Sequence, residues 1–331
     1  MLLFNTLLCL VLAAFVLLIM FQIGLMANLA IISQNPDKVS HPDLIQSPAG
    51  VLTFLETEDG GRVACRHRGS GEPMILIPDV GVSCASMNQL WEHLASYGYQ
   101  VITFDWRGYG DSEAGAEGMT LQGMAQDLQA VLMWQRSHKA TLLAHATGAF
   151  ITLQTLQSQK GILPSPKALV CMGAFGQGNF ISNRTQGVLA RLGEKLKLES
   201  LLSRRLFGWG YVAPIFGDRV APSMMKAYLD LHLARPLSRL KPLWEELTQQ
   251  DLLSSLKKLS IPTLLLASKG DRRVPPLESI RLARALPKSQ LIWMSGEVGN
   301  MLPWEASKSV VERSRDFLND LDTKKDPVSI C

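Results

Sequence analysis

The most diagnostic stretch of the chain reads VITFDWRGYGDS, from Val101 to Ser112. Its first four residues are apolar or β-branched, which is typical of a short strand buried on both faces of a sheet. Gly108 and Gly110 follow closely and predict a tight turn. Strand-like and helix-like patterns alternate on both sides of this stretch. The sequence therefore predicts an α/β protein with a mostly parallel, doubly wound sheet covered by helices.

Further elements are predicted from the same patterns. Short apolar runs indicate buried strands at 74–77, 140–143, 168–172, 263–267 and 290–294. Residues 51–68 read as a hairpin that turns at Asp59-Gly60. Apolar residues at helical spacing indicate helices at 86–96 and 121–135.

Four segments between residues 74 and 305 resemble the α/β-hydrolase family in order and spacing. They read MILIPDVG (Met74–Gly81), VITFDWRGYGDS, LLAHATGA (Leu142–Ala149), and the pair GDRRVP (Gly270–Pro275) with GNMLPWE (Gly299–Glu305). The second is similar to the family's D-x-R-G-x-G-x-S turn, which is structural. The third is similar to the G-x-S-x-G nucleophile elbow between strand and helix. The resemblance implies an α/β-hydrolase fold with a helical cap inserted into the sheet.

The resemblance also places the family's catalytic triad in this chain. Ala146 falls where the nucleophilic serine belongs, Asn300 falls at the general-base histidine, and Asp271 matches the acid. Alanine has no atom that attacks a carbonyl, and an asparagine amide has no useful proton affinity. Loss of serine or histidine from a comparable triad costs on the order of 10⁶ in kcat. The standard triad is therefore expected to be inactive, and the number of departures favours natural loss over deliberate substitution.

The segment expected to build the oxyanion hole departs from the family as well. Pro78-Asp79 stands where the family has His-Gly, and a carboxylate there opposes the negative charge of an acyl-transfer transition state. The backbone N–H groups of Val80 and Thr147 are the remaining candidates for holding a carbonyl or hydroxyl. The candidate pocket residues are Asp79, Val80, Cys84, His145 and Thr147. His145 is read mainly as packing beside the sheet, and Cys84 as a thiol with no assigned base.

The N-terminal segment 1–33 carries no charged side chain. It is long enough to cross a bilayer, which takes roughly 20 apolar residues, and it predicts a single-pass transmembrane helix. A cleaved signal peptide is the competing interpretation, but the segment has no basic start and no good cleavage site. Asp37 and Lys38 cancel, so the side of the membrane stays open.

The rest of the chain divides by composition. Residues 34–50 contain three prolines and predict an extended linker, 51–321 form the hydrolase domain, and 322–331 are a polar tail. A segment of about 178–259 shows helix-like stretches without a convincing strand and predicts a cap. The cap is basic, which fits either a solvated helical face or a lid that leans on anionic lipid headgroups.

Charge and cysteine content exclude several classes of protein. A net charge of +4 is too small to indicate nucleic-acid binding. The five cysteines show neither metal-ligand spacing nor a disulfide framework. No cofactor or metal is expected.

Three hypotheses on function remain. The first is a membrane-anchored pseudo-hydrolase that binds an apolar, lipid-like ligand or a protein partner at the cap. The second is an active ester or lipid hydrolase that uses a non-standard site. The third is a structural membrane subunit with a collapsed pocket.

Overall fold

The computed structural model describes residues 39–136, 139–158, 163–182 and 205–325, together with the single positions 16, 20, 24, 35, 161, 200, 202 and 203. All but three positions of the predicted membrane anchor, residues 1–33, lie outside this part. Among the helices of the described residues, none combines the length and the apolar character that a membrane span requires.

Eight strands form one sheet with the order β1-β2-β4-β3-β5-β6-β7-β8. Their bounds are β1 Val51–Glu56, β2 Arg62–Arg68, β3 Pro73–Ile77, β4 Gln100–Phe104, β5 Thr141–His145, β6 Ala168–Met172, β7 Thr263–Ala267 and β8 Ser289–Trp293. β2 pairs antiparallel with β1 and β4, and every other pairing is parallel. The prediction of a mostly parallel sheet is therefore confirmed.

Helices cover both faces of the sheet. α2 (Asn88–Ser96) and α12 (Ser307–Lys325), which follows the short helix α11 (Leu302–Glu305), pack on one face over Met74, Leu76 and Val170. α3 (Leu121–Gln135), α4 (Ala146–Ser158) and α10 (Pro276–Ala285) pack on the other over Ile75, Leu142 and Leu265. Central strands such as β3, whose five residues are all buried, are apolar because neither face meets water.

The turn after β4 carries a wholly buried arginine. The Arg107 side chain pairs with Asp127 Oδ1 at 2.8 Å and with Asp59 Oδ2 at 2.8 Å. Because two carboxylates surround the guanidinium, its burial is compensated, and the turn is tied both to the hairpin and to α3. The motif therefore holds the fold together, as its resemblance to a structural turn implies.

Between β6 and β7 the described residues form helices. They are α5 Asn179–Ser182, α6 Arg205–Val212, α7 Pro222–Leu233, α8 Lys241–Leu247 and α9 Leu253–Leu256, with short 3₁₀ turns at Ala213–Ile215 and Leu237–Leu240. Phe216, Tyr228 and Val212 of this segment pack with Val82 and Met301 from the sheet side. The helices therefore sit over the carboxyl ends of the central strands.

Two expectations about chain ends need correction. Residues 34–50 are not an extended linker throughout, because α1 (His41–Ile45) forms within them and buries Leu44 completely. Asn88 Nδ2 donates to Asp43 O at 3.1 Å and binds Gln46 O as well, which holds α1 on the domain. The first four residues of the predicted tail 322–331 belong to α12, which continues to Lys325.

Candidate functional site

The strand β5 passes directly into α4 at Ala146, and this junction is the geometric centre of the site. Ala146 has φ of +46° and is 1% exposed. The left-handed conformation costs a non-glycine residue roughly 1–2 kcal/mol, so the surrounding structure must enforce it. A Cβ at Gly148 would lie 2.2 Å from Pro78 O, which explains the small residues around the turn. The sharp elbow is therefore present, with a methyl group at its tip.

Asp79 fills the space beside this elbow. Its side chain is fully buried, and its Oδ1 accepts the backbone N–H of Thr147 at 3.0 Å. Its Oδ2 forms an ion pair with Nη1 of Arg273. Burial alone would raise the pKa of Asp79, but the Arg273 charge and the hydrogen bonds from Arg273 and Thr147 together outweigh burial and lower the pKa. The carboxylate is therefore ionised and occupies a backbone donor next to the elbow.

Arg273 is the residue of this site that sequence reasoning missed. Its side chain is 10% exposed. Burial disfavours its charge, but Asp79, Tyr228 and Asp271 together outweigh burial, so the pKa of Arg273 is raised. It lies two residues after Asp271, and its Nη1 also reaches Asn300 Oδ1 at 3.4 Å. The only sign of its role in the sequence is its place two positions after Asp271, the residue that matches the family's catalytic acid. The partner, 194 positions away, could not be read from the sequence.

Asp271 and Asn300 contact each other directly. Asn300 Nδ2 donates to Asp271 Oδ2 at 2.7 Å, and Asp271 Oδ1 accepts the N–H groups of Arg273 and Val274 at 2.8 and 2.7 Å. Burial raises the pKa of Asp271 to about 6, although these donors oppose the rise. The amide of Asn300 thus sits where it satisfies the acid but has no lone pair suited to take a proton.

His145 lies at the end of β5 and contacts the loop that carries Asn300. Its Nε2 donates to the carbonyl oxygen of Asn300 at 2.9 Å, and its ring is fully buried. Burial lowers the pKa of His145, and the nearby Asp79 charge only partly offsets that. Within the described residues Nδ1 has no hydrogen-bond partner. The ring is therefore neutral and ties the strand end to the loop that carries Asn300.

The remaining two pocket candidates are buried as well. Cys84 is 0% exposed and donates its backbone N–H to Asp105 Oδ1 at 2.7 Å. Burial, reinforced by the Asp105 charge, raises the pKa of the Cys84 thiol well above its usual value. A thiol that stays protonated at neutral pH is a poor nucleophile. Val80 is 1% exposed within the apolar core.

His232 of the cap contacts the loop that follows β3. Its Nδ1 donates to Gly81 O at 3.0 Å, and its Nε2 accepts from the Tyr211 hydroxyl at 3.0 Å. Burial lowers the pKa of His232 to about 4, so the ring is neutral. Gly81 has φ of +97°, and a Cβ there would lie 3.1 Å from the His232 ring. The cap is thus closely fitted to the loop that precedes Cys84.

The site as a whole joins five of the predicted positions into one hydrogen-bonded cluster. Asp79 and Thr147 meet on one side of the elbow, while Asp271, Asn300 and His145 form a chain on the other. Val80 and Cys84 lie in the adjoining loop without a contact that gives them a chemical role. No group of three or more His, Cys, Asp or Glu side chains in the described part of the chain is arranged to hold a metal ion.

Comparisons with known proteins agree with this architecture. Residues 73–296 match the family model described as serine aminopeptidase, S33. A 2-hydroxy-6-oxononadienedioate/2-hydroxy-6-oxononatrienedioate hydrolase of Cupriavidus pinatubonensis is 26% identical over 82% of this chain and 96% of its own length. The chain belongs to this family of α/β-hydrolases.

Solved structures show the same fold. An esterase from Exiguobacterium antarcticum superposes with a TM-score of 0.70 at 20% identity, covering 82% of this chain and 100% of that one. A bromoperoxidase from Bacillus anthracis gives a TM-score of 0.69, also at 20% identity, with 82% and 100% coverage. The α/β-hydrolase fold predicted from the four sequence segments is therefore confirmed.

Proposed function

We propose that this chain is a pseudo-hydrolase, in which Ala146, Asn300 and Asp271 are the remains of a Ser-His-Asp triad and the fold serves to bind rather than to hydrolyse. The observation that carries the proposal is the Asp79 carboxylate on the Thr147 N–H. In an acyl-transfer enzyme this donor must be free to receive the oxyanion of the transition state. Here an ionised carboxylate already occupies it.

The proposal includes the sequence-based expectation that residues 1–33 anchor the protein in a membrane. An anchored domain meets apolar ligands at high local concentration, so a lipid-like molecule or a protein partner at the cap is the expected ligand class. Nucleic acid is not expected, because the net charge is only +4.

The second candidate is an active ester hydrolase that uses a non-standard site. The names of similar proteins favour it: hydrolase, esterase and bromoperoxidase are all enzyme names. The geometry of this site gives it less support. His145 Nδ1 is the one lone pair near the elbow with no protein partner in the described residues, and it is buried with no hydroxyl or thiol bonded to it.

Ester hydrolysis by the full-length protein separates the two candidates. We expect the wild type to remain at the level of buffer with p-nitrophenyl esters of short to long acyl chains. The double variant Ala146→Ser/Asn300→His should stay inert as well, because Asp79 still occupies the oxyanion donor. Adding Asp79→Gly and Arg273→Met removes the internal carboxylate and its counter-charge together, and should raise kcat at least ~10²-fold over the double variant.

The matched control is Asp79→Gly/Arg273→Met with Ala146 retained, which should be inert because it lacks a nucleophile. Turnover by the wild type that is lost in His145→Phe would overturn the pseudo-hydrolase proposal in favour of the second candidate. Equal activity in the double and quadruple variants would show that Asp79 does not block the site.

A further inference from the structure

A cavity lies away from the elbow, beside α1 and the cap. It has a volume of about 750 Å³, within the range of small-molecule sites. Its lining residues come from the segment around α1 and from the cap. They are Val39, Ser40, His41, Ser203, Trp209, Pro222, Ser223, Lys226, Leu229 and Asp230. None of them belongs to the candidate site described above.

The wall of this cavity is apolar and well supported. Trp209 and Leu229 are 5% and 6% exposed. Both pack in the cluster that includes Val82 and Met301, and no residue of the elbow lines the cavity. An occupant would therefore meet a rigid aromatic and aliphatic surface without entering the triad region.

The mouth of the cavity is polar, and its charged side chains are paired with each other. Lys226 Nζ and His41 Nε2 both donate to the same oxygen of Asp230, at 2.7 and 2.8 Å. Lys226 Nζ also lies 3.1 Å from His41 Nε2. The Lys226 ammonium and the Asp230 carboxylate carry opposite charges and form an ion pair.

Ser40, Ser203 and Ser223 complete the polar lining. The Ser40 hydroxyl donates to Asp43 Oδ2 at 2.6 Å and the Ser203 hydroxyl donates to Ser200 O at 2.9 Å, so both oxygens can still accept a hydrogen bond from a ligand.

The position of the cavity indicates where an occupant would come from. Val39 and Ser40 line it, and the uncharged segment 1–33 ends six residues before Val39. Six residues span at most about 20 Å. Asn35 Nδ2 donates to Val220 O at 2.9 Å, so this stretch is tied to the cap. If residues 1–33 lie in a bilayer, the mouth therefore lies within about 20 Å of where the chain leaves the hydrocarbon region.

We propose that this cavity binds a single-chain amphiphile with an uncharged, hydroxyl-bearing head, of the monoacylglycerol type. The acyl chain packs against Trp209 and Leu229, and the head exchanges hydrogen bonds with the serines and the Lys226–Asp230–His41 cluster. The inference gives a ligand class to the proposed binding role and rests on it. The cavity lies apart from the elbow, so the ligand class and the proposed loss of catalysis can be tested separately.

Photo-crosslinking on the full-length protein in lipid nanodiscs tests this assignment. The probe is monooleoylglycerol with a diazirine in its acyl chain, and labelled peptides are mapped by mass spectrometry. We expect saturable labelling on the peptides that contain Trp209 and residues 222–230. Unlabelled monooleoylglycerol should compete, and oleate should compete at least about tenfold less well.

Two variants sharpen the test. Leu229→Trp fills the cavity and should reduce saturable labelling about tenfold, whereas Leu277→Trp, at a site 51% exposed, should leave it unchanged. Asp230→Asn needs no repacking of the core. It leaves the Lys226 charge unbalanced, so oleate should now compete at least as well as monooleoylglycerol.

Three outcomes would overturn the inference. Labelling of peptides around Asp79 or Ala146 would place the ligand at the elbow, which contradicts this cavity but supports the proposed binding function. Absence of saturable labelling would remove the ligand class and leave the hydrolysis test to decide the function. A preference for oleate in the wild type would show that the head group recognised is anionic.

Discussion

Asp79 is the residue on which the chemistry of the site depends. It is fully buried, it accepts the Thr147 N–H, and it pairs with Arg273. Removing one partner of a buried ion pair is strongly destabilising, because it leaves an uncompensated charge in the interior. Replacing both partners by apolar side chains often costs little stability. In the proposed pseudo-hydrolase the pair therefore blocks the oxyanion donor and also contributes to the stability of the fold.

Removing one partner should therefore cost far more than removing both. We expect Asp79→Ala to lower the free energy of unfolding by about 3–5 kcal/mol, and Asp79→Leu/Arg273→Met to recover most of that loss. Urea denaturation measures both. The control is Glu113→Gln, which breaks an exposed pair with Arg62 and should cost less than about 1 kcal/mol. Equal costs for Asp79→Ala and Glu113→Gln would contradict the burial of this pair.

Asp271 should leave a signature in the pH dependence of stability. Its pKa is raised from 3.8 to about 6 by burial. Between these values the unfolded chain has lost the proton that the folded chain still holds, so stability falls as the pH rises through this window. The loss reaches on the order of 3 kcal/mol above pH 6.

Asp271→Asn removes this titration. The difference in unfolding free energy between the variant and the wild type should therefore shift in favour of the variant from pH 3.5 to pH 7. Altered hydrogen bonds to Asn300 add an offset that does not depend on pH, so only the slope is diagnostic. A difference that stays flat over this range would show that the carboxyl titrates normally.

The strands were the easiest elements to predict from the sequence. β6 and β7 occupy the predicted residues 168–172 and 263–267, because a strand buried on both faces is a short, unbroken apolar run. The elbow was predicted from the resemblance of residues 142–149 to the family's motif, and the small residues there agree with its tight turn. The Asp79–Arg273 pair could not be predicted, since it joins two loops that only the folded sheet brings together.

The helix α1 was missed for a different reason. Five residues are too few to be stable alone, and Pro42 reads as a linker signal. What stabilises the helix is tertiary: Leu44 is wholly buried, and α1 packs on α7. A pattern of prolines and polar residues does not reveal such docking.

Truncation of Leu44 tests whether α1 is part of the folded domain. Leu44→Ala should lower stability by about 2–5 kcal/mol, the usual cost of emptying a buried leucine site. Ile45→Ala, at a neighbouring position 37% exposed, should change it by less than about 0.5 kcal/mol. Thermal or urea unfolding compares the two. Equal, small effects would mean that α1 does not contribute to the cooperative unit.

The predicted membrane anchor concerns the molecule as a whole. We expect the full-length protein to stay in the membrane pellet after alkaline carbonate extraction, because residues 1–33 hold no charge and exceed the length of a span. Deletion of residues 1–33 should move it to the supernatant. Mass spectrometry of the N-terminal peptide of the mature protein distinguishes an anchor from a cleaved signal peptide. A mature protein whose first residue lies beyond residue 33 would contradict the anchor.

The attachment of α1 to the cap also sets how the protein responds to force. A pull applied through the N-terminal segment first reaches Asn35 and α1, whose contacts include Val220 O and α7. The hydrogen-bonded sheet is loaded only through β1, which starts later in the chain. Under tension the cap contacts are therefore the first to rupture, so tethering at this end would act on the cavity beside α7 before it acts on the elbow.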